Sequence, residues 1–140
     1  MKLSEQVITL EQAEKLFELG IEQKSVFYHV HNGAGWQIIP NGYFTVDPEG
    51  GESFSAFTVA ELGEMLPFDM PDGAHYAWYH RYCWKGHSVG YSEVGGKNHL
   101  EAGWHPTEVA ARADLLIRLL EASKLIPENL LTNKPDKNVQ

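Results

Sequence analysis

The hydrophobic pattern along the 140 residues changes period several times, and each change marks an element. Leu10, Ala13, Leu16 and Phe17 recur on one helical face. Thr9-Leu10-Glu11-Gln12 before them is a capping box: the threonine hydroxyl accepts from the backbone N–H three residues on, while the glutamine reaches back. Gly20 supplies the left-handed residue that ends many helices, so a helix is predicted over 10–19. In SVFYHVHNGAGWQIIPNGYFTV (25–46) short β-branched and aromatic runs take over, broken by Asn32-Gly33 and Asn41-Gly42, which suit hairpin turns. They predict a three-stranded meander near 25–31, 35–39 and 43–46, left by a loop from Asp47 to Glu52.

Thr58-Val59-Ala60-Glu61 is a second capping box, with Phe57 and Leu62 at the positions of a hydrophobic staple. Pro67 disfavours helical geometry at the residue before it, which limits this helix to 59–66. Residues 75–84 and 87–94 read as paired strands joined near Lys85-Gly86, and 99–104 adds a weaker strand. After Pro106-Thr107 a last helix presents Val109, Ala113, Leu116, Ile117 and Leu120 as its apolar stripe. Glu108 and Arg112, like Asp114 and Arg118, stand four apart on its polar faces. The expected architecture is a single α+β domain over 1–126, followed by a polar tail at 127–140. Its order is α-β-β-β-α-β-β-(β)-α, with three helices on one face of an antiparallel sheet of about five to six strands in two meanders or hairpins.

Charge and cysteine content narrow the function classes. A formal charge of −8 opposes direct binding of nucleic acid, which relies on lysine and arginine displacing counterions. The single Cys83 allows neither an internal disulfide nor a cysteine-only zinc site, which points to a reducing, cytoplasmic setting. Glutamates and glutamines interrupt the N-terminal segment, so no leader is expected there, and no window has the apolar length of a membrane span.

One stretch crowds reactive side chains together: HYAWYHRYCW, residues 75–84. Strand alternation divides it into Tyr76, Trp78, His80, Tyr82 and Trp84 on one face and His75, Ala77, Tyr79, Arg81 and Cys83 on the other. The first face is a nearly continuous aromatic wall, expected to lie under helices as core. Left open, the stretch would be a stacking surface for a ring-bearing ligand, with Tyr76, Trp78, Tyr79, Arg81, Tyr82 and Trp84 as its residues and Lys85 nearby.

Other candidates are thinner. His29 and His31 alternate onto one strand face and could share a metal ion, but two imidazoles do not complete a zinc site. His75, His80, His87, His99 or His105 would have to join them. A nucleophilic Cys83 would need a histidine beside it, and alternation puts His80 on the opposite face, leaving His87 across the turn. Glu61 has a capping role, and neither Glu64 nor Glu93 forms a carboxylate pair with it. Gly95-Gly96-Lys97 lacks the spacing of a phosphate-binding loop. No catalytic residue and no cofactor is assigned.

The segments LEQAEKLFELGI, FSAFTVAELGEMLP and HPTEVAARADLLIRLLEASKLI, in this order, resemble those of small uncharacterised proteins encoded by phages and prophages of gut bacteria. The likeness covers most of residues 9–126 and implies an α+β accessory protein of a mobile element. No functional residue comes with it, and the aromatic stretch stands outside it. The leading expectation is a non-enzymatic protein acting through protein contacts, with self-association as one form of that. A small-molecule binder, nucleotide-like in its ligand, comes second, and a histidine-metal hydrolase third.

Overall fold

The structure is a computed structural model, and it describes residues 2–31, 33, 35–43, 52–67, 76–93, 99–127 and 130. After a 3-10 turn at Leu3–Glu5, helix α1 (Leu10–Glu18) begins at the predicted capping box, with Thr9 Oγ1 accepting from Gln12 N at 3.1 Å. Gln12 also donates to the Ala110 carbonyl at 2.9 Å, which ties this cap to the last helix. Gly20 follows α1 with φ 93°. Helix α2 (Val59–Met65) starts at the second box, and Phe57 and Leu62 are both fully buried. Helix α3 (Glu108–Glu121) is capped by Thr107, and its Glu108–Arg112 and Asp114–Arg118 pairs form as spaced. Its buried face is broader than the predicted stripe: Ala110, Ala111, Leu115 and Leu119 are buried as well, whereas Ile117 is only partly so.

The strands depart from the single sheet expected. They form two antiparallel three-stranded sheets among the described residues, ordered β2-β1-β3 and β4-β5-β6. The first contains β1 (Phe27–His31), β2 (Trp36–Pro40) and β3 (Glu52–Ser55), with β1 in the centre. Of the strand expected at 43–46, Tyr43 sits in a bend and 44–46 lie outside the described residues; the second neighbour of β1 is Glu52–Ser55. That segment, ESFS, has one large apolar residue, so its strand character comes from pairing and not from its own pattern.

The second sheet contains β4 (Tyr76–Cys83), β5 (Gly86–Glu93) and β6 (His99–Glu101). The β4–β5 turn is one residue earlier than predicted, at Trp84-Lys85, so Trp84 belongs to the turn and not to a strand face. Positive φ falls on Gly86 (109°), as in hairpins where a glycine follows the turn. His75, assigned to this strand from sequence, lies outside the described residues.

The core gathers Leu16, Phe57, Leu62, Met65, Val89, Tyr91, Val109, Leu115, Leu116 and Leu119, so the three helices and the inner face of β5 share it. Glu61 stitches the first sheet to α2. Its carboxylate accepts from Thr58 N (3.0 Å), Ser25 Oγ (2.9 Å) and Val26 N (3.1 Å). The described residues include no helix long and apolar enough to cross a membrane.

Candidate functional site

The two faces of β4 meet different surroundings, and each is graded along its length. On the inner face Trp78 packs against the core, edge-to-face with Tyr91 at 5.3 Å, with the Arg112 guanidinium 4.9 Å from its ring centre. Trp78, Tyr91 and Arg112 line a cleft of about 220 Å³ with Gly63, Leu66 and Pro67. Tyr91 donates to the Pro67 carbonyl, and burial pushes its phenol well above the ordinary tyrosine range. Further along the same face cover is lost. His80 stacks on His87, Nε2 to Nδ1 at 2.9 Å, and Tyr82 leans on His87 at 4.5 Å while remaining 72% exposed. Burial, then the charge of His80, lower the His87 pKa, and Glu108 opposes this. The helical cover expected over the whole aromatic wall therefore stops after Trp78: α3 packs on β5 and β6, and His80 and Tyr82 at the far end of β4 are exposed. Tyr76 opens β4, and its side chain lies outside the described residues.

The outer face carries alternating rings and cations. Arg81 lies 5.3 Å from the Tyr79 ring and 5.1 Å from the Trp104 ring. Lys85 follows, 5.7 Å from Trp104 and 5.5 Å from Trp84, which is 89% exposed. Glu101 fixes the start of this ladder by accepting from the Tyr79 hydroxyl and from Arg81 at 3.0 Å. Burial, the hydrogen bond to Glu101 and the Glu101 charge push the Tyr79 phenol up to about 12, against the opposing Arg81 charge. Such ring–cation contacts hold long side chains in place and leave their outer surfaces available.

Trp104 and Glu101 were not foreseen as members of this surface, and the reason is a bulge. Gly90 pairs with Glu101 and Ala102 donates to Val89, but His87 pairs with His105. Gly103 and Trp104 therefore stand together opposite Ser88, and the extra residue re-aims Trp104 to the outer face. Asp114 holds the bulge against α3, accepting from Gly103 N (3.0 Å), His105 Nε2 (2.7 Å) and Arg118 Nε (2.8 Å). Burial alone would raise the Asp114 pKa, but the hydrogen bonds from Arg118, His105 and Gly103 outweigh it and hold the carboxyl below its usual value. Under the ladder β5 presents small residues. A Cβ on Gly90 would come within 2.6 Å of the Leu100 carbonyl oxygen and 2.8 Å of Glu101 Cα.

The remaining candidates do not assemble into a reaction centre. His29 is buried, donates Nε2–H to the Ile8 carbonyl at 2.8 Å, and has its pKa lowered by burial against that bond. His31 shares its strand face but packs on Trp36 at 5.2 Å. No cluster of three or more His, Cys, Asp or Glu suited to a metal ion occurs among the described residues. Cys83 is exposed; its sulfur accepts from Lys85 N at 3.4 Å, and His87 turns to His80 on the opposite face. The clefts of about 490 Å³ at His87 and Glu108 and about 940 Å³ between α1 and α3 include none of the ladder residues. In comparisons with known proteins the chain matches no family model, no curated protein and no solved structure.

Proposed function

We propose that this chain is a non-enzymatic binding protein that acts through protein–protein contacts, and that the β4–β5 hairpin is its contact surface. The observation that carries this reading is the 72% exposure of Tyr82 and 89% exposure of Trp84 at the end of a strand on which Trp78, earlier in the same aromatic stretch, is packed. Tyr, Trp and Arg dominate the energetics of protein interfaces, Tyr and Trp because they bring much contact area with few rotatable bonds and Arg because its planar guanidinium both stacks and donates. Here they are pre-positioned by Glu101, His87 and the two cation–ring contacts of Lys85, which lowers the cost of ordering them on binding. The resemblance of the helical segments to phage accessory proteins agrees with a role through contacts, and the single exposed thiol agrees with a reducing cytoplasm.

A random peptide library panned against the protein tests this. Enriched peptides are expected to lose at least about tenfold in affinity for the Tyr82→Ala/Trp84→Ala double variant. No enrichment, or peptides indifferent to both substitutions, overturns the reading. The small-molecule alternative gains less from the geometry, since Tyr82 and Trp84 stand on an open surface and ligand sites are usually concave.

A further inference from the structure

The outer edge of β4 has a pattern of its own. Antiparallel pairing turns the N–H and C=O of alternate residues to alternate sides. Val89 and His87 use theirs toward Ala102 and His105, so the even-numbered residues of β5 face β4. With Tyr79 paired to Gly90 and Arg81 to Ser88, the main-chain groups of Trp78, His80 and Tyr82 point away from the sheet. Among the described residues no segment pairs with this edge. Proteins usually guard such edges with lysine, proline or a bulge. Tyr76–Cys83 pairs with β5 residue for residue and contains neither lysine nor proline. Its one charge, Arg81, is already set against Glu101.

We propose that the occupant of this edge is β4 of a second copy of the chain, paired antiparallel about a two-fold axis through His80. The proposal rests on the reading of the hairpin as a contact surface and names the partner. Only registers that oppose even-numbered residues join outward main chain to outward main chain. An axis through Arg81 sets two guanidinium groups face to face. An axis through Tyr79 places Arg81 opposite position 77. The axis through His80 sets Arg81 opposite Tyr79 of the second copy, repeating a contact that it makes within its own chain at 5.3 Å. It also sets Trp78 opposite Tyr82, a cross-strand aromatic pair. β4 has no carboxylate to repel its copy, and each Arg81 keeps its Glu101 counter-charge. The product is a continuous sheet, β6-β5-β4-β4-β5-β6, with about six main-chain bonds across the axis. Among the described residues nothing pairs with this edge, and α3 packs over β5 and β6.

Sedimentation velocity on the full chain, from about 5 to 200 µM, is expected to show a reversible dimer, because a contact this narrow falls in the weak class. His80→Pro removes an N–H that faces away from β5, so it leaves the internal ladder intact and abolishes the dimer. His80→Lys, which keeps every main-chain bond, weakens dimerisation at least about tenfold by guarding the edge. Cys83, the only thiol in the sequence, provides the register: spin labels there should report Cα separations of about 20 Å, six strand residues apart. The Tyr79 axis would give about 26 Å. A monomer throughout the range, a dimer indifferent to both His80 variants, or a label distance far from 20 Å overturns the proposal. If the chain is monomeric and library peptides bind it but not His80→Pro, the edge belongs to another polypeptide, and the function proposed above stands without this partner.

Discussion

Trp78 and Trp84 begin as equivalent positions of one aromatic stretch, yet the first is packed between Tyr91 and Arg112 and the second is almost wholly in water. Nothing in the two indoles distinguishes them. The difference lies in what stands opposite. Trp78 pairs with Tyr91, which α2 and α3 bury completely, whereas Trp84 sits in the turn beyond the reach of α3. Burial of an aromatic side chain is thus decided by the neighbouring strand and its helix, and a run of rings can be core at one end and binding surface at the other.

Substitutions can break this contrast. Trp78→Ala is expected to cost about 3 kcal/mol in urea unfolding, since it removes a packed indole and leaves a cavity beside Tyr91. A loss near that of Trp84→Ala would mean the two ends are alike. Asp114→Asn comes next, at about 2 kcal/mol, because charge-assisted bonds to His105, Arg118 and Gly103 are weakened together. Its second readout is Trp104 fluorescence, expected to change as the bulge loosens; an unaltered spectrum would separate the bulge from Asp114.

Stability also depends on pH. His29 and His87 both have folded values below their ordinary 6.5, so the unfolded chain binds protons first as pH falls. Their contribution is complete above that value and declines as pH drops from it toward the folded values. The melting temperature should therefore fall between about pH 7.5 and 5.5, and His29→Gln, which keeps an amide donor for Ile8, should flatten the slope. Asp114 acts in the same direction in a more acidic window: its carboxylate contributes fully above 3.8, and that contribution is lost as pH falls through its lower folded value. The smallest effect is on the open end, where Tyr82→Ala and Trp84→Ala should each change stability by no more than about 0.5 kcal/mol while weakening peptide binding. A large destabilisation by either would show that it supports the fold.

What was legible in the sequence follows the range of the interactions. Both capping boxes and the Gly20 stop were readable because a helix end is specified within a few residues. The turn of the β4–β5 hairpin was readable to within a residue for the same reason. The division into two sheets was not, since β3 is set by its distant pairing to β1 and by α1 beneath Phe54, where Phe17 meets it at 5.4 Å. Within the candidate surface, Tyr79 and Arg81 were found by alternation. Alternation failed at Trp104, because the bulge shifts the period by one and no motif announces it. His80 and His87 were each noted, but their mutual hydrogen bond depends on a register that one strand cannot reveal.

The bulge at Gly103-Trp104 also bears on how such a surface could arise. Were the ladder regular from Ala102 onward, plain alternation would set Trp104 opposite His87 and carry the indole inward, toward α3. The outer ladder would then lose the ring shared by Arg81 and Lys85, although no side chain had been exchanged. The central rung is therefore held by the pairing of β5 with the segment after β6 as much as by the tryptophan itself, and a one-residue slip of that register is enough to erase it while the composition of the core stays the same.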